Sequence, residues 1–170
     1  MDSKLPFAER LVVGVTGTHH GTTVAQKTML RIIIPFLYPD EFHHGDCEGA
    51  DADFHDIVRE CLKTSFIIVH PPTDPKRRAY KQGDIIKPPK PFLGRDDDII
   101  KASDLMFALS YEFKEQLRSG TWATVRHTRN FKKPLIIIYP NGDFETERLL
   151  QFNEKYARIA VNRLNTHTKE

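Results

Sequence analysis

Cysteine is scarce in this chain of 170 residues: only Cys47 and Cys61 occur. Their spacing matches neither a zinc site nor a disulfide framework, so both read as reduced thiols. Charge of one sign is also lacking. A formal net charge of +2 with His neutral gives no bulk electrostatic ground for nucleic-acid or membrane partners, which favour a strongly basic face. No run approaches the roughly 18 apolar residues of a membrane span. The opening Met-Asp-Ser-Lys-Leu-Pro-Phe-Ala-Glu-Arg has no apolar signal core, so a cytoplasmic location is expected. Repeats and low-complexity tracts are missing too. What remains, 39% hydrophobic and 28% charged residues, is the composition of an ordinary globular protein, read as one domain over residues 1 to 170.

Two further absences narrow the chemistry. Gly14-Val15-Thr16-Gly17-Thr18-His19 lacks the G-x-G-x-x-G spacing, and no acidic residue clearly ends the next strand, which disfavours a standard NAD dehydrogenase. No H-x-x-x-H pair supports a metal site. The adjacent His43 and His44 sit at a strand end and point to opposite faces, so only one could enter a common centre. Neither a metal nor a resident cofactor is expected.

Strands and helices alternate along what is present. Residues 11 to 15 read as a buried strand, followed by a Gly- and hydroxyl-rich loop. A helix comes next, with Val24, Thr28, Met29, Ile32, Ile33 and Phe36 at three- and four-residue intervals. That stripe should face the sheet, with Pro35 and Pro39 closing the helix. Residues 41 to 44 form a short strand, a turn covers 45 to 51, and Phe54, Ile57, Val58, Cys61 and Leu62 share one face of a second helix. Residues 65 to 69 are a third strand. His70-Pro71-Pro72 then forbids continuing a central strand, and residues 71 to 94 read as a proline-rich excursion away from the sheet, functional or mobile. A helix over 97 to 102, a strand over 104 to 109, a helix over 119 to 131, a strand over 134 to 139 and a last helix over about 144 to 164 complete the series. Such alternation, with short continuous apolar strands, predicts an α/β, Rossmann-like three-layer sandwich with a mostly parallel sheet of about five strands. Ligands of such sheets bind beyond the carboxyl ends of the strands. The loops at 16 to 23, 45 to 51, 70 to 80 and 111 to 121 should therefore converge on one rim.

Residues 118 to 129, Arg-Ser-Gly-Thr-Trp-Ala-Thr-Val-Arg-His-Thr-Arg, are the most informative stretch. A glycine turn opens an amphipathic helix, so free amides, the helix dipole and the hydroxyls of Ser119 and Thr121 form a phosphate cradle around Gly120. Thr16 and Gly17 either contact phosphate or ribose, or only turn the chain. His44, Asp46 and Asp51 are ligand hydrogen-bonding candidates, and Gly45, Gly49 and His70 join them as ligand-binding candidates, while Asp46 and Asp51 could instead cap a helix. Arg95 could clamp phosphate or carboxylate bidentately, or pair within the chain. Trp122 reads as core packing, with stacking on a base as the alternative. Asp46, Asp51 and Glu112 are the candidate acid-base groups, and Cys47 has neither a base nor a cationic turn to activate it.

Five motifs in order resemble the SLOG superfamily, the Rossmann-like group that includes LOG-type phosphoribohydrolases and DprA, with the YspA-related branch nearest. They are Gly14-Val15-Thr16-Gly17, the run from His44 through Gly45 and Gly49 to Asp51, His70-Pro71-Pro72, Pro91-Phe92-Leu93-Gly94-Arg95, and the run from Arg118 to Arg126. The resemblance implies a nucleotide-derived ligand, with Ser119, Gly120 and Thr121 where the family binds phosphate and Arg95 where LOG proteins place a functional arginine. It also implies a homodimer. One departure matters: Thr124 stands where the LOG signature has its catalytic glutamate.

The expectation is therefore binding, as sensor or carrier, of a nucleotide or ADP-ribose-like ligand. Thr16, Gly17, Asp46 and Asp51 would contact ribose or a second phosphate, and the excursion with Arg77, Arg78 and Tyr80 would cover it. The competing expectation is an N-glycosidic hydrolase using Asp46, Asp51 or Glu112. A DNA-associated role ranks last, since no basic stripe is present.

Overall fold

The computed structural model describes residues 9–167; residues 1–8, read above for a signal core, lie outside them. The five expected strands form as β1 (Val12–Gly17), β2 (Glu41–His44), β3 (Phe66–Val69), β5 (Leu105–Leu109) and β6 (Leu135–Ile138). Two edge strands that the sequence did not reveal extend them, β4 (Ile85–Ile86) and β7 (Phe144–Glu147). The helices are α1 (Val24–Leu37), α2 (Ala50–Cys61), α3 (Phe92–Ala102), α4 (Gly120–Asn130) and α5 (Leu149–His167). The strands make one sheet in the order β4-β3-β2-β1-β5-β6-β7. Every pairing is parallel except β6 with β7.

The strand sequences dictate three layers. In β5 and β6 the side chains alternate between faces, so Leu105, Phe107, Leu109, Ile136 and Ile138 pack with α1, α2 and α5 through Leu30, Ile34, Phe54, Val58, Phe152 and Ile159. Met106, Ala108, Leu135 and Ile137 pack on the other face with Ile99 and Ile100 of α3 and Trp122 and Val125 of α4. Both faces of the sheet are covered, as continuous apolar strands require.

The register of α1 differs from the expected stripe. Its buried residues are Gln26, Leu30, Ile34 and Leu37, while Val24, Ile32 and Phe36 are exposed. Apolar residues surround this helix, so periodicity alone did not select the face. Polar anchoring did: Gln26 completes a capping box with Thr23 and its Nε2 donates to the carbonyls of Ser110 and Ile138 at 2.8 and 2.9 Å. Pro35 lies inside the helix rather than at its end, and Tyr38 closes it in the left-handed region at φ 49°.

The excursion is tied down at both ends. Its β4 returns to the sheet edge beside β3, where Asp84 accepts the Ile67 N–H at 2.8 Å. Near its start, buried Asp46 accepts Arg78 Nε and the Lys81 N–H, both at 2.8 Å, and its carbonyl accepts the Ala79 N–H at 2.7 Å. The last expected helix begins only at Leu149, because residues 144–147 pair with β6 as an antiparallel hairpin.

Candidate functional site

The strand order reverses between β1 and β5, whose connections leave toward opposite faces of the sheet. Beyond their carboxyl ends opens a cleft of about 450 Å³, within the size range of small-molecule sites. Its walls are residues 15–20 at the end of β1 and in the loop beyond it, Gly45, Cys47 and Asp51 after β2, Phe92, Leu93, Arg95 and Asp96 at the start of α3, Arg77 from the excursion, and the loop after β5 with the first turn of α4. The four expected loops therefore meet on one rim.

One wall is the N-terminus of α4. Ser119 is the N-cap and its Oγ accepts the Trp122 N–H at 3.4 Å, which leaves the Gly120 and Thr121 amides without intrahelical partners. No acidic side chain occupies the first turn, so the positive end of the helix dipole is uncompensated. Thr121 is only 7% exposed, lines the cleft, and its side chain makes no hydrogen bond to a described residue. Nothing lies within 4 Å of the Cβ position at Gly120. Trp122 behind it is core, and its Nε1 donates to Glu112 Oε2 at 3.2 Å.

The opposite wall is organised by Arg95, a buried guanidinium. It donates to the Gly45 carbonyl, pairs with Asp96 at 3.0 Å, reaches Cys47 Sγ at 3.4 Å and lies over the Phe92 ring at 5.0 Å. A Cβ at Gly45 would come within 2.5 Å of that guanidinium, so the close approach requires glycine. Two carboxylates share the arginine's field. Burial raises the Asp51 carboxyl to about 6, against the pull of Arg95. Burial also raises Asp96, whose Oδ2 accepts the Thr124 hydroxyl at 2.9 Å. Burial pushes the Cys47 thiol up to about 11, so it is no nucleophile at neutral pH.

The structure brings Thr16, Gly17, Gly45, Asp51, Arg95, Ser119, Gly120, Thr121 and Glu112 together on the cleft. It places four other candidates away from it. Asp46 holds the excursion through Arg78 and Lys81. His44 donates from Nε2 to His55 Nδ1 at 2.9 Å, since its Nδ1 accepts the Asp46 N–H at 3.0 Å. His70 meets His43 at 2.8 Å, and burial and His43 lower it to about 4. Gly49, at φ 86°, lets the chain pass the backbone of Thr18 and His19, where a Cβ would meet atoms at 2.5 and 2.6 Å.

Sequence reasoning missed several wall residues. Asp96 is one of them: nothing in the sequence marks its direction, yet α3 begins at Phe92 and Asp96 lines the cleft. His19, His20 and Tyr111 form a ladder of rings, with centroids 4.0 and 4.5 Å apart, that no spacing rule announces across a gap of ninety residues.

No protein-family model and no curated protein matches the chain. Solved structures do. The molybdenum cofactor binding protein from the phototrophic bacterium Rippkaea orientalis is 17% identical over 91% of this chain and 86% of that one, with a TM-score of 0.60. The molybdenum cofactor carrier protein of Chlamydomonas reinhardtii is 21% identical over 76% of each chain, at 0.55. DNA processing protein A of Streptococcus pneumoniae is 14% identical over 90% of this chain and 56% of that one, at 0.56. These likenesses show a Rossmann-like α/β fold. Within that fold, the cleft stands at the topological switch point where open α/β sheets take their ligands. Among the described residues no helix is long and apolar enough to cross a membrane.

Proposed function

We propose that this protein binds and holds a phosphate-bearing small molecule, nucleotide-derived or ADP-ribose-like, on the carboxyl rim of its sheet. The phosphate sits on the α4 N-terminus, held by the Gly120 and Thr121 amides and the hydroxyls of Ser119 and Thr121. The observation that carries this is Thr121, nearly buried yet with its side chain unbonded among the described residues, on a helix start with no acidic residue. The ring ladder of His19, His20 and Tyr111 offers a planar heterocycle a stacking surface. Two proteins with this fold are named for binding or carrying the molybdenum cofactor, so that cofactor joins the ligand class as cargo. A homodimer is part of the same proposal, resting on the superfamily resemblance, and sedimentation velocity tests it.

The test begins with mass spectrometry of small molecules released on denaturation. Thermal-shift screening of nucleoside monophosphates, ADP-ribose and molybdenum cofactor follows. Gly120→Asp should abolish binding and leave the fold intact, because its Cβ has open space and its carboxylate repels an anion. Unchanged affinity in that variant refutes the cradle.

A second reading, N-glycosidic hydrolysis, is favoured by one observation. Asp51 is a carboxyl that burial raises to about 6 on the same cleft as Asp96, which brings it toward the range a general acid needs near neutral pH. Turnover of a nucleotide panel, lost in Asp51→Asn, would establish it; recovery of every ligand intact would remove it.

A further inference from the structure

Arginines in this protein are almost all spoken for. The sequence has twelve, and nine of them hold a carboxylate partner: Arg10, Arg31, Arg59, Arg78, Arg95, Arg126, Arg129, Arg158 and Arg163. Arg77, Arg118 and Arg148 have no ion pair among the described residues. Two of these three, Arg77 and Arg118, line the cleft. Meanwhile the carboxylates of the cleft are engaged: Asp96 with Arg95 and Thr124, Asp51 with the Cys47 N–H at 3.1 Å, and Glu112 with Trp122. Arg77 and Arg118 are thus the arginines of the cleft without a carboxylate partner among the described residues.

These two arginines reach the cleft from different loops. Arg118 immediately precedes the N-cap of α4, beside the cradle. Arg77 ends the short 3-10 turn Pro75–Arg77 of the excursion, whose start is capped by Asp74 Oδ1 on the Lys76 N–H at 3.0 Å. Its carbonyl accepts the Glu48 N–H at 2.8 Å, and Arg78 next to it is bonded to buried Asp46. The backbone of Arg77 is fixed while its guanidinium is left free. Its charge is felt by His19 on the loop after β1, which is lowered first by burial and then by Arg77, and both residues line the cleft.

We infer that the cleft is built for a ligand with two separated anionic groups, one on the α4 cradle beside Arg118 and the other at Arg77. The preferred class is then a diphosphate, with Arg77 the residue that selects it over a monophosphate. This rests on the cradle proposed above.

The experiment is calorimetric titration of AMP and ADP into the wild type, Arg77→Gln, Arg118→Gln and Gly120→Asp. Each charge-assisted contact to a phosphate is worth on the order of tenfold in affinity. The wild type should bind ADP about tenfold more tightly than AMP. Arg77→Gln should remove that difference, weakening ADP about tenfold and leaving AMP within about twofold, whereas Arg118→Gln should weaken both nucleotides. Both arginines are exposed, so these variants should fold, with circular dichroism as the check. Equal wild-type affinities, or an equal loss of both ligands in Arg77→Gln, overturns the two-anion inference. If Gly120→Asp then still abolishes AMP binding, the cradle stands without it. Failure of the wild type to bind either nucleotide overturns both.

Discussion

Asp51→Asn should make this protein more stable at neutral pH. Asp51 is buried at the cleft wall, and burial lifts its carboxyl from an ordinary 3.8 to about 6 against the opposing field of Arg95. The folded-state value lies above the unfolded one, so the folded state binds the proton more tightly between those limits. Stability therefore falls as pH rises from about 4 to 6, and the full cost is present above that window. A shift of about two units corresponds to about 3 kcal/mol. Because the shift is already net of the attraction to Arg95, removing the charge relieves that whole amount. Asparagine keeps an oxygen to accept the Cys47 N–H, now at 3.1 Å. Urea unfolding of both proteins at pH 7.5, 6.0 and 4.5 is the assay. The variant should gain about 2–3 kcal/mol at pH 7.5, or about 5–10 °C in Tm for a domain of this size, shrinking to about 1 kcal/mol at pH 4.5. Comparison at each pH cancels the other titrating groups. A variant that is less stable at pH 7.5, or a difference that does not change with pH, would refute the reasoning. If the expected gain is accompanied by loss of ligand affinity or turnover, the carboxylate is retained for function at the expense of stability.

Trp122→Ala should cost about 3–5 kcal/mol, because it empties a buried site in the α3–α4 core; chemical denaturation measures it, and a loss below about 1 kcal/mol would contradict the core assignment. Cys47, with its thiol raised to about 11, should react with iodoacetamide at pH 8 far more slowly in the folded protein than in urea, as mass spectrometry of the labelled peptide would show; equal rates would mean that the thiol is not shielded. Asp46→Ala removes the acceptor of Arg78 and Lys81 and should destabilise the excursion by about 2 kcal/mol. Trypsin should then cut at residues 77–81 much faster than in the wild type, while unchanged cleavage would show that the excursion is held elsewhere.

The fold was legible because its strands are short, continuous and apolar, and because loops rich in Gly and hydroxyls punctuate them. Periods of two and 3.6 cannot report everything. Ile85–Ile86 is a two-residue strand that exists only because β3 offers an edge and Asp84 ties the chain to Ile67; in sequence it is a pair of apolar residues among prolines. Phe144–Glu147 alternates too briefly to stand apart from the helix that follows. The face of α1 was hidden for another reason. Its decisive residue, Gln26, is polar, and its bonds go to carbonyls of Ser110 and Ile138, which are distant in sequence.

The site was legible where one local segment makes it and obscure where distant segments meet. The α4 cradle is complete within Ser119, Gly120 and Thr121, so backbone rules suffice to read it. Histidines and aspartates after β2 read as a cluster, yet the chain sorts them: Asp51 turns to the cleft, while Asp46 and His44 turn to the excursion and to α2. Thr124 shows the limit of one-dimensional comparison most clearly. In the aligned motif it reads as a missing carboxylate. In space, its hydroxyl donates to Asp96, which enters the same cleft from α3 and is paired there with Arg95. Where the resemblance would place a carboxylate on α4, the cleft thus has a substitute on α3. Its chemistry therefore depends on how close that substitute lies to a bound ligand, and the paired Asp51→Asn and Asp96→Asn variants assayed for turnover answer it directly. Hydrolysis that survives Asp51→Asn but not Asp96→Asn would assign the acid to α3. Intact ligand throughout would leave both carboxylates as hydrogen-bond acceptors in a binding site.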